Sequence, residues 1–194
     1  MASCCRKAWP HAGRPSTLEA ERAKLTALGL ELLTQLYDEF GALEKCLAHD
    51  DEKLEATGAA HPVCQRLLTI PGVGPLTATA LVAAVSDASH LKNGRQCGVW
   101  VGLVPRQHST GGKARLLGIS KRGAGYPRKL LVYGARATLR WVGVKTARRS
   151  KRVRARIERR GKHKAVVALA NKNARIAWVL LHSDQTYIAT RQCQ

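Results

Sequence analysis

The sequence predicts an all-α protein, a long N-terminal helix leading into a helical domain, and three observations predict it. Apolar residues make up 45% of the chain while aromatics supply only 5%. The core is therefore built of Leu, Val, Ala and Ile, which suit helices packed closely together. Leucines recur at steps of three and four through the first third of the chain, the spacing of one helix face. Two further periodic segments, one from Tyr126 and one from Ala165 to Leu181, supply the helices that complete the core.

Residues 1–15, MASCCRKAWPHAGRP, hold no period and read as a loose tail. Ser16-Thr17-Leu18-Glu19 forms a capping box, with Glu19 three positions after a hydroxyl residue. Leu25, Leu28, Leu32, Leu33, Leu36, Phe40, Leu43 and Leu47 then extend one amphipathic helix to about Thr57, where Gly58 is a natural stop. The stalk spans 16–60. It serves either as a coiled-coil dimer arm or as a helix packed on its own domain.

His61-Pro62 blocks continuation, and a second domain covers 62–182, with a tail over 183–194. Within it, Arg66 to Val85 reads RLLTIPGVGPLTATALVAAV. A short helix ends near Thr69, Pro71-Gly72-Val73-Gly74 turns the chain, and Pro75 opens the next helix in its first turn. This is a helix-hairpin-helix pattern over 66–85. Its glycines let backbone approach a phosphate, which the amides at the following helix start attract. Pro71, Gly72, Val73, Gly74 and Thr77 are the residues that pattern places at DNA. A loop and a short helix bearing Trp100 follow. Residues 102–123, GLVPRQHSTGGKARLLGISKRG, show no period and read as loop-rich, the kind of segment that carries chemistry on a rigid frame.

Charge narrows the functional class. The formal net charge is +20, and it is lopsided: through Cys64 there are 7 Lys+Arg against 10 Asp+Glu, and from Gln65 onward 26 against 3. A field of that size draws polyanions, nucleic acids first. The densest run lies in a basic segment over 145–164, where Arg148, Arg149, Lys151, Arg152, Arg154, Arg156, Arg159, Arg160, Lys162 and Lys164 face one acid, Glu158. Backbone binding outweighs a merely solvated face there. Trp100 and Trp141 are candidates for base stacking, while Trp178 among Ala and Leu reads as core. The six cysteines show no metal-ligand spacing and no disulfide framework, and no apolar run reaches the ~18 residues a membrane span needs. A cytoplasmic protein with no membrane partner and no metal site of its own is expected.

In the loop-rich segment Ser109 stands among His108, Arg106, Lys113, Arg115 and Lys121. A hydroxyl becomes a nucleophile when a base takes its proton and cations stabilise the charge developing on phosphorus. The same residues equally suit a flexible phosphate-contacting turn, to which Ser120 and Arg122 also belong.

Four blocks in order and spacing carry a resemblance: LLTIPGVGPLTATALVAAV, QCGVWVGLVPRQHSTGGKARLLGISKRG, GARATL and ALANKNARIAW. Together they resemble the C-terminal transposase domain of the IS-one-ten family, in its IS-eleven-eleven branch, over roughly Pro62 to Leu181. The resemblance implies a serine nucleophile, DNA strand exchange guided by an element-encoded guide RNA, a coiled-coil segment, and an N-terminal RuvC-like domain whose Asp-Glu-Asp-Asp set holds Mg²⁺. It places the nucleophile at Ser109, with Thr110 the alternative when counted from Gly102-Leu103. Only about 60 residues precede the hairpin, too few for the RuvC-like fold, so a truncated chain is expected. Asp38 and Glu39 belong to the stalk's solvated face, and association with another copy or with intact transposase through the stalk is expected. Pro127 and Ala124 depart from the residues the family places there, and the opening MASCC has no family counterpart.

Overall fold

A computed structural model describes residues 25–86, 91–141 and 148–188. In chain order these form α1 (Ala27–Ala60), α2 (Pro62–Leu68), α3 (Pro75–Ser86), α4 (Gly94–Trp100), β1 (Pro105–Thr110), β2 (Lys113–Ile119), α5 (Gly125–Trp141), α6 (Arg148–Arg160) and α7 (Lys162–Leu181). The mostly helical architecture matches the sequence reading. The chain divides into two units, one reaching Glu52 and the other starting at Lys53.

In the first unit α1 opens at Thr26, whose Oγ1 accepts the Gly29 amide proton at 3.2 Å. The capping box expected at Ser16 lies outside the described residues, as do residues 1–15. Leu28, Leu32, Leu36, Phe40, Leu43 and Leu47 all stand exposed along this helix.

The second unit holds the core. Gly58 does not stop α1: the helix runs on to Ala60, and Gly58 is buried against Pro75 and Thr79. What ends α1 is His61, whose ring accepts the Val63 amide as the cap of α2, with Pro62 in the first turn. From α2 the chain turns over Thr69 to Gly74 and enters α3. Asn93 caps α4 by accepting the Gln96 amide.

The organiser is α7, which packs on α2, α4, α5 and α6. Its buried face, Ala165, Val166, Leu169, Ala170, Asn173, Ala174, Ala177 and Leu180, is rich in alanine, so neighbouring helices approach closely. Cys64, Leu67, Ile70, Leu81, Cys97, Val101, Leu103 and Leu131 close the core around it. Trp178 lies against this core and donates its indole N–H to the Leu91 carbonyl at 3.1 Å. Trp100 is also half-buried against it. Pro127 is buried in the first turn of α5, where its missing N–H costs no helix bond.

One segment differs from expectation. Residues 102–123 are not mainly loop: they form the antiparallel β1–β2 ribbon. Its two-residue turn is Gly111-Gly112, at φ 58° and 74°. That Gly-Gly turn matches the right-handed twist of the strands, a signal that outweighs the absence of apolar alternation. The basic segment carries α6, and Gly161 at φ 81° separates it from α7. Beyond α7 the chain is tied down. Arg66 donates to the Ser183 carbonyl at 2.5 Å and to Asp184 at 2.6 Å, and Thr69 Oγ1 accepts the Tyr187 amide.

Candidate nucleic-acid interface and hydroxyl site

The ribbon carries the hydroxyls. Every residue of β1 is exposed. Strand alternation puts neighbours on opposite faces, and the register pairs His108 with Arg115, Ser109 with Ala114, Gln107 with Leu116 and Thr110 with Lys113. Ser109 therefore shares a face with Gln107 and Leu116. His108, Thr110, Lys113 and Arg115 occupy the other. Gln107 Nε2 donates to Ser109 Oγ at 2.8 Å. The sequence brought His108 next to Ser109 along the chain, but the pleat turns the imidazole to the side of Thr110. Gln107, unremarked in the sequence, is the side chain bonded to the serine.

A tight base holds the ribbon. Gly102, at φ 75°, lies against the Arg122 backbone and the Arg128 guanidinium, and Gly123, at φ 87°, lies against the Trp100 carbonyl. A Cβ at either would collide with backbone. Arg128 Nη1 donates to the Val101 carbonyl at 3.0 Å, and Asn171 Nδ2 to that of Leu103 at 3.1 Å. The Ser120 amide bonds the Val104 carbonyl and the Lys121 amide that of Gly102. Lys121 has φ 56°, rare for a side-chain-bearing residue. Ser120 is half-buried, while Arg106, Arg122 and Lys121 are exposed around this base.

The α2–α3 turn is also built on close contact. Gly72, at φ 90°, faces Gly134 of α5, and a Cβ on either glycine would collide with the other's backbone. Thus the close approach that Gly72 permits is to α5. The space above Gly74 is open. Asn173, fully buried, donates to the Pro71 carbonyl at 3.1 Å and secures the turn to α7. Pro71 is exposed, whereas Val73 and Thr77 are buried.

On α6, Arg152, Arg156, Arg159 and Arg160 are exposed. Arg148 and Arg149 lie in its first turn, their side chains outside what is described. Arg152 and Arg156 line a cleft of about 150 Å³ with Lys172 of α7, floored by Val153, Ala165 and Leu169. Among the described residues no three His, Cys, Asp or Glu side chains gather to hold a metal ion. Nor is any helix among them long and apolar enough to cross a membrane.

Residues 64–150, which span the turn, the ribbon and α5, match the Transposase IS116/IS110/IS902 family. The chain carries a transposase domain of that family. It is 47% identical over 173 residues to the "Transposase for insertion sequence element IS1111A" of Coxiella burnetii, covering 89% of this chain and 48% of that protein. It is 45% identical over 172 residues to a "Probable family 20 transposase" of Pseudomonas aeruginosa, covering 89% and 51%. A third relative, the "Transposase for insertion sequence element IS1328" of Yersinia enterocolitica, is 39% identical over 160 residues. The chain spans about half the length of these relatives.

Within the transposase domain, sequence reasoning reached Ser109, Thr110 and the cations around them. It missed Gln107, which bonds the Ser109 hydroxyl, and Arg128, Gly134, Asn171 and Asn173, which act through backbone carbonyls or close packing. The only sequence trace of the two asparagines was their presence in the apolar run of α7, where a polar residue needs a partner.

Proposed function

We propose that this chain is the DNA-handling part of an insertion-sequence transposase, in which a hydroxyl on the β1–β2 ribbon attacks a DNA phosphodiester. The observation that carries the reading is Ser109, exposed two residues before a Gly-Gly turn and accepting a hydrogen bond from Gln107. A donor aimed at Oγ stabilises the alkoxide as it forms. The serine oxygen bonds to phosphorus, one bridging deoxyribose oxygen leaves, and a phosphoserine ester holds the strand. The serine proton passes to the departing deoxyribose oxygen, Arg106 and Lys121 near the ribbon's base neutralise phosphate oxygens, and His108, Lys113 and Arg115 on the opposite face hold the neighbouring backbone. Thr110 is the alternative nucleophile, because it shares its ribbon face with His108 and Arg115. The α2–α3 turn, at Pro71 and Gly74, and α6, at Arg152, Arg156, Arg159 and Arg160, hold the backbone of DNA or of the element's guide RNA.

A second reading rests on the exposed arginines of α6 and on the pleat that sets His108 on the face opposite Ser109. On it, the chain is a non-catalytic remnant that coats DNA or RNA and blocks intact transposase through its N-terminal helix.

The test is binding to a labelled duplex across a salt series, with Ser109→Ala and Thr110→Val in parallel and a denaturing gel for adducts. Affinity drops on the order of 10³-fold between 50 and 200 mM salt if six or more phosphates are held. A covalent adduct lost in Ser109→Ala and kept in Thr110→Val assigns the serine, and the reverse assigns Thr110. Binding without adduct from any form selects the second reading. Binding that ignores salt sinks both.

A further inference from the structure

Helix α5 presents a face whose composition packing does not require. Its buried side is Pro127, Leu131 and Ala135, with Gly134 and Thr138 turned to Gly72. The exposed residues are Tyr126, Lys129, Tyr133, Arg136, Ala137 and Arg140. At 100° per residue these six fall on one stripe opposite the core side. The whole helix contains no acid. Tyr126 is 56% exposed and Tyr133 62%. The Arg136 guanidinium lies over the Tyr133 ring, 5.7 Å from its centroid.

We infer that this stripe binds an unpaired DNA strand, its bases stacked on the two tyrosines and its phosphates held by Lys129, Arg136 and Arg140. The inference rests on the proposed DNA-handling role and adds a site and a strand state to it. Charge selects a polyanion, since three cations line the stripe and no carboxylate of α5 offsets them. The rings select an unpaired strand. Within a duplex the base faces are covered by their neighbours, whereas a single strand offers every base face to an aromatic platform. Seven residues separate the tyrosines, about 10.5 Å along the helix, or roughly three nucleotide steps at the 3.4 Å rise of one strand. An arginine over a tyrosine ring also fits this use, because the guanidinium keeps the ring in place and reaches the phosphate beside the stacked base. Cutting and rejoining a duplex exposes such strands, so the site has a substrate in the proposed reaction.

The test uses the full chain with labelled oligothymidine, oligouridine of equal length and a duplex, each across a salt series. The variants are Tyr133→Ala, Tyr133→Phe and Arg136→Ala. Tyr133→Ala should weaken oligothymidine binding about tenfold, the effect of losing one stacked base, while the salt slope stays unchanged. Tyr133→Phe should keep wild-type affinity, because the ring and not the hydroxyl stacks. Arg136→Ala should lower the logarithmic salt slope by about 0.7, one phosphate on a single strand. Duplex affinity should respond little to Tyr133→Ala. Equal loss on duplex and single strand, no loss on either, or tyrosine dependence seen only with oligouridine would overturn the assignment. A chain that binds the duplex in a salt-dependent way without any tyrosine effect loses this site and keeps the proposed role. A chain that binds no nucleic acid loses both.

Discussion

Gly134 sits in the middle of α5, where alanine would ordinarily stabilise a helix by ~1 kcal/mol. Here a Cβ would run into the Gly72 carbonyl across the helix–turn contact. Backbone cannot rotate aside as a side chain can, so Gly134→Ala should destabilise the domain by about 2 kcal/mol. For a domain of this size that lowers Tm by roughly 4–8 °C in a thermal melt; an unchanged or raised Tm would show that the turn does not rest on α5. A second residue-scale effect belongs to Cys97. It is 1% exposed, its Sγ–H points to the Ala174 carbonyl, and burial pushes its thiol up to about 11 from 9.0. The native state thus holds its proton more tightly than the unfolded chain. The stability that this confers is complete below pH 9 and drains away as pH rises from 9 through about 11. Melts over pH 8–11.5 should show wild type losing more stability across that window than Cys97→Ala, and parallel curves would contradict it. Neither effect was legible from residue type, because both depend on which atoms from distant parts of the chain come to lie alongside.

Among the elements, α1 shows what periodicity can and cannot convey. The leucine spacing from Leu25 to Leu47 predicted a long helix, and α1 runs from Ala27 to Ala60. The same spacing left open what covers the stripe, and the leucines stand exposed, Leu28 at 65% and Leu36 at 61%. A contiguous apolar row of this kind is most stable when another copy covers it. Placing charges in it, as Leu36→Glu with Leu43→Glu, should reduce the mass measured by light scattering to that of one chain, with the helix content retained by circular dichroism. A wild-type chain already monomeric at micromolar concentration would exclude that role. The ribbon is the converse case. Its residues, Arg-Gln-His-Ser-Thr and Lys-Ala-Arg-Leu-Leu, lack the alternation that marks a half-buried strand because neither face of β1 is buried. Its one readable signal was Gly111-Gly112, and the pleat, not the order along the chain, decided that Ser109 keeps company with Gln107 while Thr110 keeps company with His108.

For the molecule as a whole, net charge and its asymmetry were matters of composition, and with them the expectation of a polyanionic partner. The helical class, the segments on which α2, α3, α5 and α7 lie, and the family followed from local pattern: apolar spacing, proline at helix starts, and four motif blocks in order. All of these are properties of residues near one another in the chain, so the sequence by itself determined them. Tertiary structure alone decided which glycines meet backbone, which asparagines hold the two turns, and which face of α5 is left to solvent as a row of tyrosines and cations. Those outcomes depend on contacts across long separations, such as Asn173 with Pro71 and Gly134 with Gly72. No periodicity encodes such contacts, because they arise only when the alanine-lined face of α7 draws the surrounding helices close enough for backbone to touch backbone.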